Sequence, residues 1–78
     1  MPISSDLVDE LAILARYNLS TTQEGIKVHH TASPETIAAI KRLHEKDLVT
    51  QDDGGYLTAL GIETAEHIQK ALTILTSK

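Results

Sequence analysis

Apolar residues recur along this chain at two different periods, and each change of period marks a new element. Leu7, Leu11 and Leu14 stand at i, i+4 and i+7, with Val8 and Ala15 widening the stripe, which is the period of a half-buried helix. Ser4 or Ser5 caps that helix, and Asp6, Asp9 and Glu10 bring negative charge to its opening turns, where the helix dipole favours it. Arg16 closes the last turn, and Asn18 is suited to end it in left-handed backbone. The pattern predicts a helix over 5–17. Ile26-Lys27-Val28-His29 then alternates apolar and polar and predicts a strand over 26–29. Between the two, Leu19 to Gly25 is a turn region in which Thr21 and Glu24 have capping-box spacing, with room for one helical turn at most.

The second half repeats this logic. Ser33-Pro34-Glu35 starts a helix predicted over 34–46, with Ser at the cap and Pro at the first position, where a missing N–H costs nothing. Ile37, Ile40 and Leu43 form its buried stripe, His44 is read as half-buried, and Asp47 can take the left-handed step out. Leu48-Val49-Thr50 and Tyr56-Leu57-Thr58 are β-prone runs, predicted as strands over 48–50 and 56–58. Gln51-Asp52-Asp53-Gly54-Gly55 between them is dense in turn formers, so the pair reads as a hairpin. Thr58 caps a last helix over 59–76, whose stripe is Leu60, Ala65, Ile68, Leu72 and Leu75. Gly61 in its first turn is tolerable there and would be costly deeper in.

Composition narrows the function more than the fold. Of the 78 residues, 21 are Leu, Ile or Val, enough to build one small core without a disulfide or a structural metal, and there is no cysteine. Phe and Trp are absent, so a stacking platform for single-stranded nucleic acid is not expected. The net charge of −4 excludes a general basic coat but permits a local basic patch. No secretory signal opens the chain and no apolar run approaches the about 20 residues of a membrane span, so the expectation is a cytoplasmic protein with no membrane partner.

The candidate chemistry is sparse. Arg42 and Lys46 follow Ala38 on one helical face, Lys41 lies beside them, and Lys27 can add from the strand. These four cations against Glu35 and Glu45 leave the segment 27–46 mildly positive, and are the candidate contacts for the phosphates of double-stranded DNA. Three or four contacts per chain predict weak binding. Of the four histidines, His29 and His30 point to opposite faces of a strand, and His44 and His67 sit on different helices, so no metal site or cofactor is expected. Serines and threonines are plentiful, but no Ser–His–acid spacing appears and a usual ligand pocket is not expected in so small a domain. The chain therefore reads as a non-enzyme. On the last helix, Ile62, Ala71 and Ile74 carry apolar surface further round than one core face needs. They are the candidate interface of a homodimer.

Helix, strand, helix, hairpin, helix is the order of an α+β, winged-helix-like domain: three helices with a short antiparallel sheet that ends in a wing hairpin. Leu43 to Thr50, followed by Asp52-Asp53-Gly54-Gly55-Tyr56-Leu57-Thr58-Ala59-Leu60-Gly61, resembles the recognition-helix exit and wing of MarR- and PadR-type regulators. Asn18-Leu19 with Thr21-Thr22-Gln23-Glu24-Gly25-Ile26-Lys27-Val28-His29 resembles a family of short uncharacterised bacterial proteins that carry a DNA-binding label inferred from fold. The resemblance implies a transcription-related protein that reads DNA with helix 34–46. That DNA-binding protein is the leading expectation; the alternative is a non-enzymatic interaction module of the same fold that binds no nucleic acid, and two residue-level features favour the alternative. The wing carries Asp52 and Asp53 where such regulators use Arg or Lys, and there is no room for a helix between Val28 and Ser33.

Overall fold

In a computed structural model, residues 3–20 and 25–77 are described. Three helices pack around a three-stranded antiparallel sheet, an α+β domain with winged-helix-like topology. The elements are α1 (Ser5–Ala15), β1 (Ile26–Lys27), α2 (Pro34–Glu45), β2 (Val49–Gln51), β3 (Gly54–Leu57) and α3 (Ala59–Thr76). The capping-box pair Thr21 and Glu24 lies outside the described residues.

Each helix begins at a side-chain cap. Ser4 Oγ accepts from Leu7 N at 3.2 Å, Ser33 Oγ from Thr36 N at 3.2 Å, and Thr58 Oγ1 from Gly61 N at 3.0 Å. The ends differ more from the sequence reading. α1 stops at Ala15 rather than at residue 17 because Tyr17 turns inward, where it is 4 % exposed and its hydroxyl donates to the Gly55 carbonyl of β3 at 3.2 Å. Asn18 is not left-handed; its side-chain oxygen instead accepts from Ser20 N at 3.0 Å, an Asx turn. α2 closes in a Schellman arrangement, with Leu48 N donating to Leu43 O and Asp47 N to His44 O, each at 3.0 Å. Asp47 supplies the left-handed residue that this motif needs, at φ 66°.

β3 is the central strand, in the order β1-β3-β2. Ile26 pairs with Gly55 and Lys27 with Gly54, after which β3 gives way to its turn, so β1 ends two residues before 29. Val28 still continues the ladder, donating to Asp53 O at 2.7 Å. On the other side, Val49 pairs with Leu57 and Gln51 with Gly54, which leaves one extra residue in β3. Gly54 and Gly55 have φ of 126° and 75° at this bulge, and Thr50 Oγ1 accepts from Tyr56 N at 3.0 Å to satisfy the displaced amide.

The core draws on the three helices, β2 and the segments beside them: Ile13, Leu14 and Tyr17, then Val28 just after β1, then Ala39, Ile40 and Leu43, then Leu48 and Val49, and Ala65, with Ile26 of β1 and Leu57 of β3 packed against it. α3 reaches it only through its first half, where Ala65 is buried and Ile68 packs against the edge. The rest of the expected stripe is not buried. Leu72 is 42 % and Leu75 77 % exposed because an 18-residue helix outruns a core this small, and Leu60, in the first turn, is 51 % exposed because it is turned off the face of Gly61, Ala65 and Ile68.

Candidate functional site

The described structure offers three features with functional potential: the cations of α2, a cleft between α2 and the hairpin, and an apolar face shared by α1 and α3.

Arg42 of α2 and Lys46 at its C-cap are engaged from within the chain. Arg42 Nε donates to Glu10 Oε2 at 2.7 Å, Arg42 also donates to the Asp6 carbonyl at 3.1 Å, and Lys46 Nζ donates to Glu10 Oε1. Glu10 thus stands between the two cations whose mutual repulsion a bound phosphate would otherwise relieve. Its side chain is 6 % exposed, against 28 % for Arg42 and 51 % for Lys46. Burial pushes the Glu10 carboxyl up, and the hydrogen bonds from Lys46 and Arg42, with their charges, outweigh it and leave the group below its ordinary value. The same hydrogen bond raises Arg42. By sequence alone this acid belongs to the helix's charged opening turns. The signal that finds it is positional, because Glu10 lies three residues after Leu7 and four before Leu14, on the stripe that faces the core.

Lys27 and Lys41 lie elsewhere, on the rim of an open cleft of about 410 Å3 between α2, β1 and the hairpin turn. Asp52 and Asp53 share that rim, over apolar side chains of Val28, Ile37 and Ile40. The four expected DNA contacts therefore divide into two pairs, each beside acidic side chains. The cleft also corrects the expectation that the domain is too small for a depression of usual ligand volume. His29, His30, His44 and His67 are all exposed, so His44 is not the half-buried residue its position suggested. Among the described residues, no three His, Asp or Glu side chains gather as a metal site would require.

The apolar face is the largest of the three. Ile3, Val8, Leu11 and Ala12 from the α1 side and Ile68, Ala71, Leu72 and Leu75 from α3 line an open groove of about 580 Å3 with no charged residue in its lining. α3 is held beside α1 by Gln69, whose Nε2 donates to Leu14 O at 3.1 Å and Tyr17 O at 2.8 Å. Of the three residues expected at a dimer interface, Ala71 lines this groove, Ile74 is 62 % exposed and stands outside the lining, and Ile62 is half-buried near the start of α3. The shift toward Leu72 and Leu75 has a simple cause: the residues read as core stripe are the ones the core does not reach.

No described helix is long and apolar enough to cross a membrane. A family of unknown function (DUF5669) matches residues 1–76 of the chain. No curated protein and no solved structure matches it.

Proposed function

The chain belongs to that family of unknown function, and we propose that it is a small non-enzymatic protein-interaction module that works through the groove between α1 and α3. The observation that carries this reading is the groove itself, seven apolar residues on two neighbouring helices and Ile3 just before α1, with no charge among them. A small soluble domain rarely leaves such a face uncovered unless something docks there. Self-association through the C-terminal helix, α3, is part of the reading.

Binding of double-stranded DNA by α2 is the second reading, favoured by the exposed Lys27 and Lys41. It would require Arg42 and Lys46 to exchange Glu10 for phosphates, and Asp52 and Asp53 to lie close to the duplex. Affinity for DNA follows the number of phosphates neutralised, and two free cations are few.

Two titrations test the choice. At low protein concentration the apolar dye 1-anilinonaphthalene-8-sulfonate is expected to bind wild type and to be lost in Leu72→Asp. Random-sequence duplex at low salt is expected not to bind. Duplex affinity that falls steeply with salt, and falls further in an Arg42→Ala/Lys46→Ala double variant, would replace this reading with the DNA one.

A further inference from the structure

We infer that a fourth, smaller hollow, between the end of α1, β1 and the start of α2, binds the phosphate group of a small phosphomonoester. The hollow has a volume of about 230 Å3. Arg16, Lys27, His29, Thr31 and Thr36 supply its polar lining, and no acidic residue belongs to it. That sets it apart in a chain with a net charge of −4. Arg42 and Lys46 are paired with Glu10, and Lys41 shares its cleft with Asp52 and Asp53. Lys27 and Val28 line both that cleft and the hollow, so they form the wall between the two, whereas Arg16 lines the hollow and not the cleft. Among the described residues, neither Arg16 nor Lys27 has an ion-pair partner.

The fold holds these groups in place from three directions. Arg16 is the C-cap of α1, its N–H donating to Ile13 O at 3.0 Å, and the buried Tyr17 follows it. His29 and Thr31 lie on a turn closed by Ala32 N, which donates to His29 O at 2.9 Å. Thr36 is in the first turn of α2, where its Oγ1 lies 2.9 Å from Ser33 Oγ. One hydrogen serves that pair of hydroxyls, so when Ser33 donates, the Thr36 hydrogen is free for a ligand. Thr36 N is already taken by Ser33 Oγ, so the donors are side chains and not the helix end. Their number selects the anion. Two cations, an imidazole and two hydroxyls offer more than the two oxygens of one carboxylate accept, and they suit the three terminal oxygens and double charge of a phosphomonoester. Arg16 supplies the planar fork that takes a phosphate in two hydrogen bonds, and Lys27 supplies a point charge. Val28 and Ala32 give the ester carbon an apolar wall. The hollow is smaller than the about 300–1,000 Å3 of a usual ligand pocket, so the organic part is compact.

Titration of the isotope-labelled full chain with ethyl phosphate, followed by amide chemical shifts at constant ionic strength, tests the inference. Saturable shifts are expected at Arg16 and between His29 and Thr36, and none along α3. Acetate under the same conditions is expected not to saturate. Arg16→Gln is expected to weaken ethyl phosphate binding by about tenfold or more, the loss of hydrogen bonds to a charged group. Lys41→Gln, in the neighbouring cleft, is expected to leave the affinity unchanged. Arg16 is exposed, and unmoved amides at the buried Ile40 and Leu43 verify that the Arg16→Gln chain folds. No saturation by ethyl phosphate up to about 100 mM overturns the inference. Equal binding of acetate, or an unchanged affinity in Arg16→Gln, overturns it as well. If random-sequence duplex moves the same amides through Arg16 and ethyl phosphate does not, the phosphates are those of DNA and the small-ligand inference falls. The α1/α3 groove shares no residue with this hollow, so the apolar dye tests that reading separately.

Discussion

Glu10 is an acid on the inward stripe of α1, and two cations from α2 make that position tolerable. The pair of contacts has a definite sign for pH. The folded carboxyl titrates below its ordinary value of 4.5, so the unfolded chain takes up the proton first as pH falls. The contribution of Glu10 is therefore present above about pH 4.5 and is lost as pH drops through the lower, folded value. Glu10→Gln keeps the shape and removes the charge. It is expected to lower stability at neutral pH by about 1–2 kcal/mol, the range for hydrogen bonds to charged groups less what Lys46 and Arg42 recover from water. It is also expected to flatten the acid limb of a plot of urea midpoint against pH. Parallel curves for the two proteins would show that the contacts add nothing. The sequence displays Arg42 and Lys46 as a basic ridge because helical spacing reports which residues share a face. It does not report what packs against that face, and the partner is 32 positions away in α1.

At the scale of elements, the helix starts and the end of α3 at residue 76 were legible, and the end of α1 was not. A cap is a local hydrogen bond over three residues, so Ser33 and Thr58 could be read directly; the end of α1 depends on Tyr17 finding Gly55, 38 residues on. The exit of α2 was legible too, because Asp47 was identifiable as the left-handed residue and is one. A left-handed non-glycine costs about 1–2 kcal/mol, part of which glycine returns as unfolded-chain entropy. Asp47→Gly is thus expected to stabilise the domain by about 0.5–1 kcal/mol, since the Asp47 carbonyl that accepts from Thr58 Oγ1 at 2.6 Å is kept. Chemical denaturation of the two proteins measures it, and a loss of stability would mean that the Asp side chain matters more than the backbone. Gly61 reverses the propensity argument. Helix propensity alone predicts that Ala would improve α3 by about 1 kcal/mol. Yet Gly61 is buried, and a Cβ there would lie 2.0 Å from the Leu48 carbonyl oxygen. Gly61→Ala is expected to destabilise by about 1–3 kcal/mol, the usual cost of overpacking, through displacement of α3 from the start of the hairpin. An increase in thermal midpoint would refute that close approach.

For the molecule as a whole, the α3 stripe meets the core only at Ala65 and Ile68, while Leu60, Leu72 and Leu75 stay exposed. A 3.6-residue period shows that one face of a helix is apolar; it cannot distinguish a face that meets the chain's own core from one that meets another chain. Here the contact with the chain's own core ends within α3, after Ala65 and Ile68. A domain of this size buries a smaller fraction of its surface than a larger one and holds correspondingly little stability in reserve. Covering Leu72 and Leu75 in a symmetric dimer would add to that reserve only when the partner is present, so stability would depend on concentration. If the dimer dissociates as it unfolds, each tenfold rise in protein concentration is expected to raise the thermal midpoint of wild type by about 3–5 °C. Leu75→Asp is expected to remove that dependence and to bring every sample to the wild-type value at high dilution. Because Leu75 is 77 % exposed in the single chain, the substitution leaves the monomer's own packing intact. A midpoint that is lower in Leu75→Asp even at high dilution would instead place Leu75 in the core of the monomer. A wild-type midpoint independent of concentration would mean that the groove adds nothing to stability by pairing two copies.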